Sequence, residues 1–364
     1  MAVATASKRT AVPNRLTHGR LPKWAPWVIL AGSWIVMGTI VAIVGAADGA
    51  ADFNIGLAVF LGQILFLVAV WVIAYLVEGG RQAKDRFVTG LVGTAFVIAL
   101  IPLISLAYTV IVNGAARFDL TFFTWTMRNV IGEGGGALHA LVGTLQITLL
   151  ATLISVPVGL LTAVYLVEYG RGWFARSITF LVDVMTGIPS IVAGLFAFAL
   201  FALITGEAGF RSGFGGAVAL SLLMIPVVVR SSEEMLRIVP NELREASYAL
   251  GVPKYRTILR IVIPTSIAGI ATGVTIAIAR IIGETAPLLI IAGTSKSMNW
   301  NPFDGRMMTL PVFAYDSYTT YGVADKVAQQ DRAWAAALLL ILIVMVLNLL
   351  ARLIAKFFAP KTGR

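Results

Sequence analysis

Apolar residues in this chain fall in long unbroken runs, without the strict alternation of a half-buried strand or the narrow stripe of a soluble helix. A run of about 20 such residues crosses the hydrocarbon core of a bilayer as a helix. Eight runs qualify: 27–45, 56–77, 88–112, 141–167, 177–204, 215–229, 258–292 and 334–355. The run 215–229 is short, and 177–204 is interrupted by Gly187-Ile188-Pro189-Ser190. Pro157, Pro226 and Pro264 lie inside or at the edge of runs, where neighbouring helices can satisfy the freed backbone groups. The pattern predicts an all-α, polytopic membrane protein of about eight transmembrane helices.

Composition agrees. Of 364 residues, 58% are hydrophobic and 13% charged, against about 25% charged in a soluble domain. The outer surface must therefore be apolar too, which excludes a disordered chain and an ordinary soluble enzyme. The net charge of +10 would suggest nucleic acid in a soluble protein, but here its distribution matters more. With the N-terminus inside, 20 of the 28 Lys and Arg fall in inner segments, 7 in outer loops, and Arg280 inside a run. That bias predicts both termini in the cytoplasm of a cell-membrane protein and removes nucleic acid as a partner. The run 27–45 is expected to stay as a span: about 25 residues precede it, and it exceeds the about 7–15 residues of a signal peptide's apolar region. With no cysteine, and with His18 and His139 as the only histidines, no thiolate site or histidine metal cluster is expected.

The outer segments 113–140 and 293–333 are long enough for short surface helices, and the glycines at 134–136 predict a flexible loop. Gly269 and Gly273 form a small-xxx-small face of the kind that packs helices. Asp183 falls within a run, either pairing across the bundle or lying near its cytoplasmic end.

The inner segment 230–264 is more than a connection. Ser231 with Glu234 fits a capping box, predicting a short helix to Val239 that Pro240 stops. Asn241 then caps a second helix, Glu242 to Leu250, ended by Gly251 and Pro253. Leu243, Ala246 and Leu250 share one face of it. Such a helix either covers the end of the bundle or docks on a partner.

Here the residues resemble a known family. Glu245-Ala246-Ser247, Gly251 and Ile261-Val262-Ile263-Pro264 have the spacing of the EAA loop of binding-protein-dependent ABC importer permeases, departing only at Ser247 and Ile263. The resemblance implies that Leu243, Glu245, Ala246, Ser247, Leu250 and Gly251, within a coupling segment 231–264, dock on a cytoplasmic ATPase. The strings at 165–171, 188–196, 243–251 and 279–289 are similar to the PstA phosphate permeases. They imply a six-helix permease core over 88–364, its type-1 transmembrane region about 139–355, preceded by a two-helix extension over 1–87. They also imply a second, PstC-like permease, a PstB-like ATPase dimer, a PstS-like extracytoplasmic binding protein, and inorganic phosphate as cargo.

Arg280 is expected near the middle of the 258–292 span, where an arginine costs about 2.5–3.5 kcal/mol on insertion scales. Glu284, four residues on and one turn away on the same face, can pair with it. Two readings fit: a structural ion pair, or an arginine facing the translocation path, whose planar guanidinium matches two phosphate oxygens while Glu284 moderates affinity. No lysine follows a glycine, so the chain lacks a Walker A loop. No cofactor is expected on it, and ATP and Mg are expected on the partner ATPase. The alternatives are an ABC permease for sulfate or molybdate, and an ATP-independent secondary transporter.

Overall fold

The computed structural model describes residues 21–47, 53–130, 132–319 and 326–358, and no strand occurs among them. Contacts divide the chain into two units, Met1–Ala107 and Tyr108–Arg364. The first unit holds α1 (Ala25–Ala47), α2 (Ile55–Glu78) and most of α3 (Gly80–Ala115). The sequence boundary at 87/88 thus lies inside one continuous helix, and the division by contacts comes later in it.

Within the first unit a side chain at Gly62 would strike Trp34 at 2.7 Å, so α2 approaches α1 closely there. Glu78 ends α2 almost fully buried. Arg86 meets its two carboxylate oxygens at 2.5 and 2.7 Å, and the Leu21 N–H donates at 2.5 Å. This fork-to-fork pairing compensates a charge that burial alone would penalise.

The second unit continues through α4 (Leu120–Thr124), α5 (Leu138–Val164) and a π-turn at Tyr165–Tyr169. Then come α6 (Gly172–Thr186), α7 (Ser190–Thr205), α8 (Gly213–Ile238), α9 (Asn241–Ala249) and α10 (Lys254–Thr257). A second π-turn, Ile258–Val262, leads into α11 (Ile263–Ile281), followed by α12 (Ala286–Ile291), α13 (Leu310–Thr319) and α14 (Lys326–Phe358).

α8 is the centre of this unit, packed on α5, α6, α7, α11 and α12. It corresponds to the run 215–229, which looks weak as a span because it is short, and whose first half carries Gly215, Gly216, Ala217, Ala219 and Ser221. Those small residues let neighbours approach: side chains at Gly215 and Gly216 would strike Ile291 and Leu288 at 2.6 and 3.0 Å. From α11, Gly269 and Gly273 face Met235 and Ser231 of α8, where an added Cβ would come within 2.2 and 2.5 Å. The small-xxx-small face therefore packs helices. Ile147, Leu220, Met224, Val228 and Ile281 fill the core around it.

Two local expectations are corrected, and the interruption expected at 187–190 is a sharp bend. The run 177–204 is two helices, α6 and α7, bent by 108°, because Pro189 disfavours helical backbone at the preceding residue. Among the described residues, seven helices are long and apolar enough to cross a membrane, or up to eight if this bent pair is one span. Ser231 caps nothing: α8 runs unbroken to Ile238, and the Ser231 hydroxyl donates back to the Val228 carbonyl at 3.2 Å. Burial of the α8 face against α11 outweighs the local cap signal. The glycines at 134–136 are held rather than loose. Gly136 sits against the carbonyls of Thr121, Phe122 and Trp125, while Arg117 and the buried Arg332 donate to the Gly135, Gly132 and Gly134 carbonyls at 2.8–2.9 Å.

Candidate coupling helix and substrate-path residues

α9 is built by its two ends. Pro240, with φ fixed near −60°, stands at its N-cap position, and helix begins at Asn241 without a side-chain cap. At the other end Gly251 takes φ +72°. Its N–H donates to the Tyr248 carbonyl at 2.9 Å and the Val252 N–H to that of Ser247 at 3.2 Å, the Schellman arrangement that a left-handed residue allows.

One side of α9 is pinned to the bundle. Ser247 is buried and its hydroxyl lies 2.8 Å from that of Thr257. Arg244 reaches back to Glu168 of the first π-turn at 3.0 Å, and donates to the Val239 and Leu236 carbonyls at 2.5 and 3.0 Å. Glu168 is 5% and Arg244 12% exposed, so the pair is largely withdrawn from water. Lys254 adds a bond to the Glu168 carbonyl and stands 4.8 Å above the Tyr169 ring. The other side is open: Leu243 is 41% and Leu250 83% exposed, and Glu245 and Ala246 are exposed beside them. The third residue of the EAA string thus faces inward, while Leu243, Ala246 and Leu250 form an unpartnered apolar edge.

Arg244, Glu168 and Lys254 were not singled out in the sequence. Residues 168 and 244 are 76 positions apart, and no periodicity connects them. Asp183 does pair across the bundle, with Arg230 of α8, which also holds Glu233 at 3.0 Å; Glu233 in turn accepts from Arg237 at 2.6 Å.

Arg280 and Glu284 are placed differently from expectation. α11 ends at Ile281, so Arg280 is its penultimate residue rather than the middle of a span. The chain turns through Gly283 before α12, and Glu284 is half-buried in that turn. No ion pair joins the two among the described residues, because the helix that would stack them one turn apart has already stopped. Arg280 is exposed on the same stripe as Ile276. A cation there also sits at the negative end of the α11 dipole.

A family model described as binding-protein-dependent transport system inner membrane component matches residues 155–364. Phosphate transport system permease protein PstA 1 of Mycobacterium tuberculosis is 48% identical over 289 residues, covering 78% of this chain and 91% of its own. PstA of Yersinia pestis is 37% identical over 288 residues, covering 78% of this chain and 93% of its own. Among solved structures, a bacterial alginate ABC transporter in complex with a periplasmic protein shares the fold. It has a TM-score of 0.55 and 15% identity, and the match covers 77% of this chain and 97% of that one.

Proposed function

The chain belongs to the binding-protein-dependent transport inner-membrane components, and within them to the PstA phosphate permeases; from that premise we propose how its residues carry out the task. It is a multi-pass permease subunit of an ABC importer for phosphate, not an enzyme, and ATP is hydrolysed on a separate subunit.

In this reading α9 is the part that meets the ATPase. The observation that carries it is the open edge of Leu243, Ala246 and Leu250 beside Glu245, on a helix otherwise bonded to the bundle. An apolar edge of this size is stabilised when covered, at roughly 25 cal/mol per Å² of apolar surface. Arg244 and Lys254, by gripping Glu168 and its carbonyl, link any displacement of α9 to the end of α5. ATP and Mg belong to the ATPase, which acts as a PstB-like dimer. A PstC-like permease and a PstS-like binding protein complete the assembly. Both termini lie in the cytoplasm, on the side of α9.

Arg280 is assigned to the phosphate path. In this reading the exposed Ile276–Arg280 stripe is covered by the second permease or lines the path between the two. Glu284, in the adjacent turn, tempers the attraction so that the anion is released. The test is uptake of radiolabelled phosphate at micromolar supply in cells lacking this chain and other phosphate importers. Restoring the chain should restore ATP-dependent uptake, with no effect of excess sulfate or molybdate. Uptake unchanged by its loss, or competed by sulfate, would overturn the assignment.

A further inference from the structure

At the far end of α5 from the coupling helix, about 40 Å away at 1.5 Å per residue, lies a second concentration of polar groups. A cavity of about 70 Å³ is lined by His139, Lys296, Asp316, Ser317, Gln329 and Arg332, among others. His139 is 3% exposed, yet neither ring nitrogen has a hydrogen-bond partner among the described residues. Its ring is held edge-on to Phe313 at 5.5 Å, which fixes its orientation. Gln329 and Arg332 are also buried. A buried imidazole without partners is costly.

Charge and size narrow what such a cavity accepts. Two cationic side chains face one carboxylate, so the lining carries an excess positive charge. A water needs only about 10–15 Å³ of such space, so about 70 Å³ holds one small oxyanion or a few waters. A neutral imidazole offers one donor and one acceptor, and the Asp316 carboxylate offers acceptors only. The imidazole N–H and the Asp316 carboxylate are matched together by an oxyanion that still carries a proton. Hydrogen phosphate does; sulfate at neutral pH does not, and would leave Asp316 facing a bare oxygen.

We propose that this cavity is a binding site for protonated phosphate, separate from Arg280, at the end of the bundle opposite α9. Lys296 and Arg332 supply the attracting field, His139 donates to one oxygen, and Asp316 accepts the P–OH proton and thereby excludes sulfate. The site rests on the reading of the chain as a phosphate permease, and it adds a selectivity step at the side where phosphate enters.

The chain's two histidines make the test direct. Full-length chain in phospholipid nanodiscs, with ring-15N histidine, is titrated with inorganic phosphate or sulfate, and His139 is identified by its absence in His139→Gln. Millimolar phosphate should move the His139 signals saturably while sulfate leaves them in place, and Asp316→Asn should make sulfate effective. In cells, His139→Phe, which keeps the ring against Phe313, should raise the half-saturating phosphate concentration about tenfold, the loss expected for one bond to a charged group. His139 signals that stay fixed in phosphate, or that move equally in sulfate, would overturn the site. Uptake separates the two levels: a silent His139 in a complex that imports phosphate normally removes only this site, whereas a complex that imports none removes the transport reading as well.

Discussion

Arg244 and Arg280 show how differently an arginine can be used in one chain. Arg244 is spent on the structure: Glu168 and two backbone carbonyls take up its donors. Arg244→Ala would leave Glu168 buried and uncompensated, a loss of about 3–5 kcal/mol for such pairs. Faster proteolysis across 240–254 and reduced phosphate uptake, with the chain still inserted, are the expected results; protection equal to wild type would contradict the assignment. Arg280 has no ion-pair partner among the described residues and is exposed. Arg280→Lys keeps the charge but loses the paired donors, so uptake should fall severalfold while the complex co-purifies intact. Normal uptake at normal expression would remove Arg280 from the path. The charge inside an apolar run was legible because an intramembrane arginine stands out in any hydropathy profile. Its supposed partner was misread because four-residue spacing implies contact only while a helix lasts, and this one stops at Ile281, before the turn at Gly283.

At the level of the element, α9 was readable almost to the residue. Pro240 and Gly251 are backbone constraints that tertiary packing does not override, and the face of Leu243, Ala246 and Leu250 follows from helical spacing. Ser231 and Glu234 carry an equally good local signal, and there packing prevailed. α8 and α11 need close contact at Gly269 and Gly273, and a helix break at 231 would disrupt it. Gly251→Pro is the sharper test of α9. Proline cannot adopt φ +72° and has no N–H to give Tyr248, so ATP hydrolysis by purified complex should continue while import per ATP falls; unchanged coupling would count against α9. Because the chain has no cysteine, Leu250→Cys provides a single attachment point. Cross-linking to the ATPase subunit is expected, and cross-linking only to lipid would exclude docking through this edge. For the packing, Gly273→Leu would force a side chain into Ser231 at 2.5 Å, costing about 1–3 kcal/mol as overpacking does. A lower thermal midpoint in detergent should reveal it.

For the whole molecule, the hydrophobic runs established the class and most of the crossings, since a bilayer imposes one length on every helix that spans it. They did not reveal which helix is central. α8 has the least conspicuous run and the most buried position, because small residues permit burial and contribute little hydrophobicity. The tethers from Glu168 to α9, and the grouping of His139 with Asp316 and Arg332 at the other end, depend on long-range packing that no local pattern encodes. In the proposed reading the subunit receives work at α9 and moves phosphate through its transmembrane bundle. The most direct test is phosphate accumulation in proteoliposomes containing the complete complex, with binding protein on one side and α9 facing the other. Phosphate should accumulate only when hydrolysable ATP is supplied on the α9 side, and should cease with a non-hydrolysable analogue. Accumulation driven by an ion gradient without ATP would contradict the account.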